Sequence, residues 1–191
     1  TQYKPDYNEA MTKNKASVQK SFTSGADAEN ITKINTAIHH LGTLQELADA
    51  LDSGNSPAIN KVVNFVKTQM GHDEVTNVDL AKIAVGDELM KAFKGSGSSE
   101  AEAEAWRAQF NANKSVKGMR GAIKTAVDLL HGRSTEVNEK WKRGMDTEED
   151  FKNLISPSAQ TVLNRLSSGS TVPVISTKEE YDALQPGQTY I

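Results

Sequence analysis

Ala26-Asp-Ala-Glu-Asn-Ile-Thr-Lys-Ile-Asn-Thr-Ala-Ile-His-His-Leu-Gly-Thr-Leu-Gln-Glu-Leu-Ala-Asp-Ala-Leu51 is the stretch that decides the fold. Ile31, Ile34, Ile38, Leu41, Leu44, Ala48 and Leu51 recur in it at spacings of three and four. A helix turns once in about 3.6 residues, so this spacing gathers them on one face. Asp27 and Glu29 stand near the start, where the helix dipole favours negative charge. The pattern predicts a long helix over 26–51 with one face committed to a core.

Upstream, Tyr7, Met11, Val18 and Phe22 predict a helix over 5–22, broken by Ser24 and Gly25. Downstream, residues 52–55 (Asp-Ser-Gly-Asn) read as a turn. Ser56 then offers an N-cap and Pro57 a first helical residue, where its missing N–H costs nothing. That helix turns Ile59, Val62, Val63, Val66 and Met70 inward and stops at Gly71. Thr76 or Asn77 caps the next, which offers Leu80, Ile83, Ala84, Leu89 and Phe93 to the core. The Gly-Ser-rich run 95–99 is a candidate hinge (94–99). After it, 100–111 carries Trp106 and Phe110 one turn apart, with core use the plainer reading than a partner anchor. Ser115 caps a helix over 116–143 whose stripe is Met119, Ile123, Val127, Leu130, Val137 and Trp141. Gly118 and Gly121 would let a neighbouring helix approach closely, and Gly132 could mark a bend or a break.

An acidic turn at 146–150 leads to Phe151, Leu154 and Ile155, and Ser156-Pro157 opens a helix to about 166. Residues 167–170 form a linker. Beyond it, 172–175 and 189–191 read as extended, while Thr177-Lys-Glu-Glu180 is a capping box for a short helix between them. The fold expected is mainly α: a helical bundle or elongated helical array over 1–166, with a small strand–helix–strand appendage over 171–191.

The 191 residues suit one domain of ordinary size, or one large and one small unit. Only 37% are hydrophobic and 6% aromatic, and the mean hydropathy is −0.55, less apolar than a compact domain of this length usually is. An elongated shape, or a core completed by neighbours, would explain that. A net charge of −3 with dispersed Lys and Arg disfavours a phosphate-gripping face. The absence of cysteine excludes disulfides, zinc–thiolate sites and thiol nucleophiles. No apolar run approaches the roughly 20 residues that span a bilayer, so a soluble protein is expected. The chain opens at Thr1 rather than Met, which suggests processing or a longer parent.

Chemistry is sought where residue types and spacing would permit it. His39, Thr43 and Glu46 share a helical face, but one imidazole and one carboxylate are too few for a metal site. His72-Asp73-Glu74 could supply a base near neutral pH, yet no nucleophile accompanies it, and a solvated loop is the plainer reading. Glu102 and Glu104, or Glu148 and Glu149, lie in charge-rich runs rather than in the apolar cleft that glycoside hydrolysis needs. The 95–99 run lacks the Lys of a phosphate loop. Lys114, Lys117, Arg120 and Lys124 form the nearest thing to a basic stripe; it leaves open a weak contact with DNA, though such stripes are more often the wet face of a helix. No residue is singled out as catalytic, cofactor-binding or metal-ligating, and no cofactor is expected.

Phe22-Thr-Ser-Gly25, the run from Asn30 to Leu44, Leu47-Ala-Asp-Ala-Leu51, Thr76-Asn-Val-Asp79, Ile83-Ala-Val-Gly-Asp-Glu-Leu89 and Ile155-Ser-Pro-Ser-Ala159 carry a resemblance. Together they resemble a helical region of large virion proteins of tailed bacteriophages, of the structural, internal or DNA-ejection kind. The ending from Ser176 to Ile191 is similar to C-terminal tails of phage structural proteins. The resemblance implies a non-enzymatic virion component, made in the host cytoplasm, that assembles with portal, tail or internal proteins or with copies of itself. Some relatives carry a peptidoglycan-cleaving domain, so the alternative is a helical accessory segment of a phage cell-wall-degrading enzyme. No family active-site residue is present here to be carried over.

Overall fold

The structure, a computed structural model, describes residues 9–95, 99–112 and 115–168. Within them lie α1 (Glu9–Ser24), α2 (Ala26–Ser53), α3 (Ser56–Gln69), α4 (Val78–Gly95), α5 (Glu100–Ala112), α6 (Val116–Met145) and α7 (Pro157–Ser168). The expected strand–helix–strand unit at 171–191, the start of the first helix at 5–8 and residues 96–98 of the expected hinge fall outside the described residues.

α2 is the axis of the bundle. It packs against α1, α3, α4, α6 and α7, while α5 sits outside, against α4 and α6. The predicted single apolar face holds over the first half of α2, where Glu29, Thr32, Thr36 and His39 keep an exposed stripe; the second half is buried nearly all round, with 41–44 and 47–50 as continuous buried runs. Between the leucines lie Ala37, Gly42, Ala48 and Ala50, small residues that let neighbours come close from several sides. This packing also answers the low apolar content. Alanines at 81, 84, 92, 103, 122 and 126 join the core, so the helices close on small residues.

The helix ends follow local chemistry. Gly54 takes a left-handed φ of 67°, and the N–H groups of Gly54 and Asn55 return to the carbonyls of Leu51 and Ala50, closing α2 two residues later than expected. Asn55, not Ser56, caps α3, its Oδ1 accepting the N–H of Ala58 at 2.9 Å. Asn77 caps α4 in the same way. Ser99, the last residue of the expected hinge, and Glu102 form a reciprocal capping box at α5. α6 runs 30 residues without interruption through Gly132, which does not break it.

Glycines do allow close approach, though not at Gly121. A Cβ on Gly144 would lie 2.6 Å from Val18 Cγ2 on α1, and one on Gly42 would lie 2.9 Å from Val162 on α7. Gly121 and Gly132 face open space. Ile83, expected in the core, is 47% exposed; Ala81 and Val85 join the expected Ala84 on the buried face of α4.

Two aromatic groups brace the core. Phe22, Trp141 and Phe151 make a triangle with centroids 4.9–5.2 Å apart. Phe93, Trp106 and Phe110 make the other, and Trp106 Nε1 donates to the carbonyl of Ala122 at 3.0 Å, tying α5 to α6. Two buried carboxylates on α2 are also spoken for. Asp27 accepts from Ser21 and Lys140, and Asp49 accepts from Gln45 and Arg120.

Candidate functional site

The largest opening among the cavities described is a seam between α6 and α7, floored by α2. It arises because α7 is fastened to α2 rather than to α6. Asn35 on α2 donates to the carbonyl of Leu154 and accepts the N–H of Ser156, which fixes the chain just before α7. Arg165 then reaches Glu46 at 3.0 Å, and Val162 sits over Gly42. α6 is left standing off, joined to α7 by few contacts.

The seam holds two cavities of about 550 and 530 Å³ that share Val127, Asp128 and Ser167. Ile38, Leu130, Leu154, Ile155 and Leu163 give the first an apolar floor, and Thr135, Asn138, Gln160 and Asn164 form polar lips. Gln45, Arg120, Lys124, Arg165 and Leu166 line the second. An apolar floor with polar lips is the anatomy of a protein contact surface. Sequence patterning could not show it, because Val127 and Leu130 read simply as part of the stripe of α6.

The residues considered for chemistry are dispersed. His39 meets Ser158 on α7 at 3.3 Å between Nε2 and Oγ, whereas Glu46 is engaged by Arg165. Among the described residues no group of three or more His, Asp or Glu could hold a metal ion. Glu102 is committed to the cap of α5 and to Arg133 at 2.8 Å, and Glu104 lies 3.6 Å from Lys94. The Ser99 backbone and hydroxyl, with Arg133, hold the Glu102 carboxyl below the usual range. A glycosidase acid needs the opposite shift. Glu148 and Glu149 are exposed.

Of the basic stripe, Lys114 lies outside the described residues. Arg120 is held by Asp49 at 2.9 Å and Asp52 at 3.0 Å, so its charge is compensated within the fold. Lys117 and Lys124 are exposed. His72, expected in a solvated loop, is folded in against α4, its side chain 17% exposed. Among the described residues no helix is long and apolar enough to cross a membrane. Comparison with family models, with curated proteins and with solved structures finds no match to this chain.

Proposed function

We propose that this chain is a non-enzymatic structural component of a tailed-bacteriophage virion, internal or part of the DNA-ejection apparatus, and that it acts by packing against other virion proteins. The observation that carries the reading is the seam between α6 and α7. It offers apolar Ile38, Leu130, Ile155 and Leu163 beneath polar lips, with no internal element closing it among the described residues. The resemblance of 30–44 and 47–51 to helical virion regions supplies the setting. The rival accessory segment of a cell-wall enzyme gains no support from Glu102, whose carboxyl is shifted away from the acid role. A DNA contact is weakened by the pairing of Arg120 with Asp49 and Asp52.

Two measurements test it. Quantitative mass spectrometry of purified particles of the encoding phage should find the chain in fixed stoichiometry; its absence from particles would sink the virion assignment. Sedimentation of the purified chain over a concentration series, alone and with the other particle proteins, should show association. Gln160→Arg with Asn164→Arg places bulky charge on exposed lip positions and should abolish that association without lowering the melting temperature. A compact monomer that engages no particle protein, or association indifferent to the lip substitutions, would remove the seam from the account.

A further inference from the structure

α7 ends at Ser168, and the residue before it, Ser167, lines both cavities of the seam. The chain therefore leaves the helix where the two cavities meet. Residues 169–191 follow, outside the described residues. Their first apolar group is Val172-Pro-Val-Ile175, and Tyr181 and Leu184 come after it. Reach is not limiting. The seam runs back along α7 from Ser167 to Gln160, about 10 Å at the helical rise. The four residues from Ser168 to Val172 span up to about 14 Å.

The chemistry of the two surfaces matches. Val172, Val174 and Ile175 suit the floor of Ile38, Leu130, Leu154, Ile155 and Leu163. Pro173 among them brings no backbone N–H to be satisfied in an apolar place. On the lips, Gln160 Nε2 donates to Asn164 Oδ1 at 2.9 Å, which leaves Gln160 Oε1 and Asn164 Nδ2 as an acceptor and a donor for a backbone laid along α7. Charge agrees. Arg120 and Arg165 beside the second cavity are balanced by Asp49, Asp52 and Glu46. Exposed Lys117 and Lys124, two turns apart on α6, outweigh Asp128 and pair with no carboxylate among the described residues. Residues 177–184 carry Glu179, Glu180 and Asp182 against Lys178. A tethered segment also competes at an effective concentration on the order of mM, which a separate chain has to match.

We propose that residues 172–184 occupy the seam of their own chain, the apolar group over the floor and the acidic stretch toward Lys117 and Lys124, so that a partner must displace them to dock. The inference rests on the seam as a docking surface and adds what governs access to it, an intramolecular occupant.

The test uses the full chain, whose lack of cysteine lets a single nitroxide be attached at a chosen site. Thr161→Cys places it on an exposed position of α7 next to Gln160, and Lys61→Cys places it on α3, which packs on α2 and α4 instead. Paramagnetic broadening of the amide resonances of 172–184 should appear with the label at residue 161 and not with the label at residue 61. Val174→Asp should remove it, and Lys117→Glu with Lys124→Glu should reduce it severalfold. Broadening that is absent, equal from both sites, or kept at its wild-type level by these variants overturns the proposal. So does broadening that arises only between a spin-labelled chain and a separate isotope-labelled one, which marks a second copy as the occupant. The comparison of the two labels needs no change in the segment or on the lips, so it decides the matter whatever the variants do. Failure of the virion reading is distinguishable, because it is read in particles and in association with particle proteins and leaves this broadening untouched.

Discussion

Gly144 shows how much a single missing methyl can carry. Val18 of α1 stands where its Cβ would be, and Asn14 Nδ2 donates to its carbonyl at 3.4 Å. Val is stiff at χ1, so it cannot swing aside cheaply. Gly144→Ala should destabilise the protein by about 1–3 kcal/mol through overpacking. Val18→Ala in the same chain should recover part of that loss, and chemical denaturation of the double-mutant cycle checks it; additive effects would contradict the contact. Nothing in the sequence separates Gly144 from Gly121 or Gly132. The difference lies in what stands opposite, and only the packed fold decides that. His72 teaches the same lesson. Its neighbours Asp73 and Glu74 were visible beside it, but Glu88 reaches it only because the loop folds against α4.

The helices themselves were legible because their signals are local. The three-and-four spacing of 31–51, the Pro57 and Pro157 starts and the Gly71 stop each act within a turn or two of chain. A cap moved where two residues competed for one role, as Asn55 and Ser56 did, whereas α5 begins at residue 100 as expected, opened by a capping box from Ser99, the last residue of the expected hinge. Gly132 was ambiguous because an interior glycine costs about 1 kcal/mol without specifying a break. α6 absorbs that cost. Gly121 and Gly132 lie within helix α6 with open space at the Cβ position. Gly121→Ala and Gly132→Ala should therefore each stabilise the protein, by about 0.4–1 kcal/mol. A rise in the denaturation midpoint for both would agree; a fall at either would mean that its surface is needed bare, by a partner or by a neighbour.

At the scale of the molecule, the two aromatic groups belong to one continuous core that α2 runs through. Trp141 reports on one and Trp106 on the other. Fluorescence-monitored unfolding of Trp106→Phe and Trp141→Phe, each referred to circular dichroism of the same variant, should give coincident transitions within each variant. A fluorescence transition that parts from the circular dichroism would divide the body into two cooperative units. The seam between α6 and α7 belongs to this scale too. It follows from how Asn35 and Glu46 seat α7, so no window of sequence could reveal it. The central place of α2 has one more consequence, in the time order of synthesis. α2 leaves the ribosome before the partners that cover its far side, and 62 residues separate Ser53 from Val116. At translation rates of about 5–20 residues per second, that apolar flank waits on the order of ten seconds for α6. A nascent chain arrested before α6 should therefore be the species that chaperones hold and that aggregates, whereas one arrested after α7 should be neither.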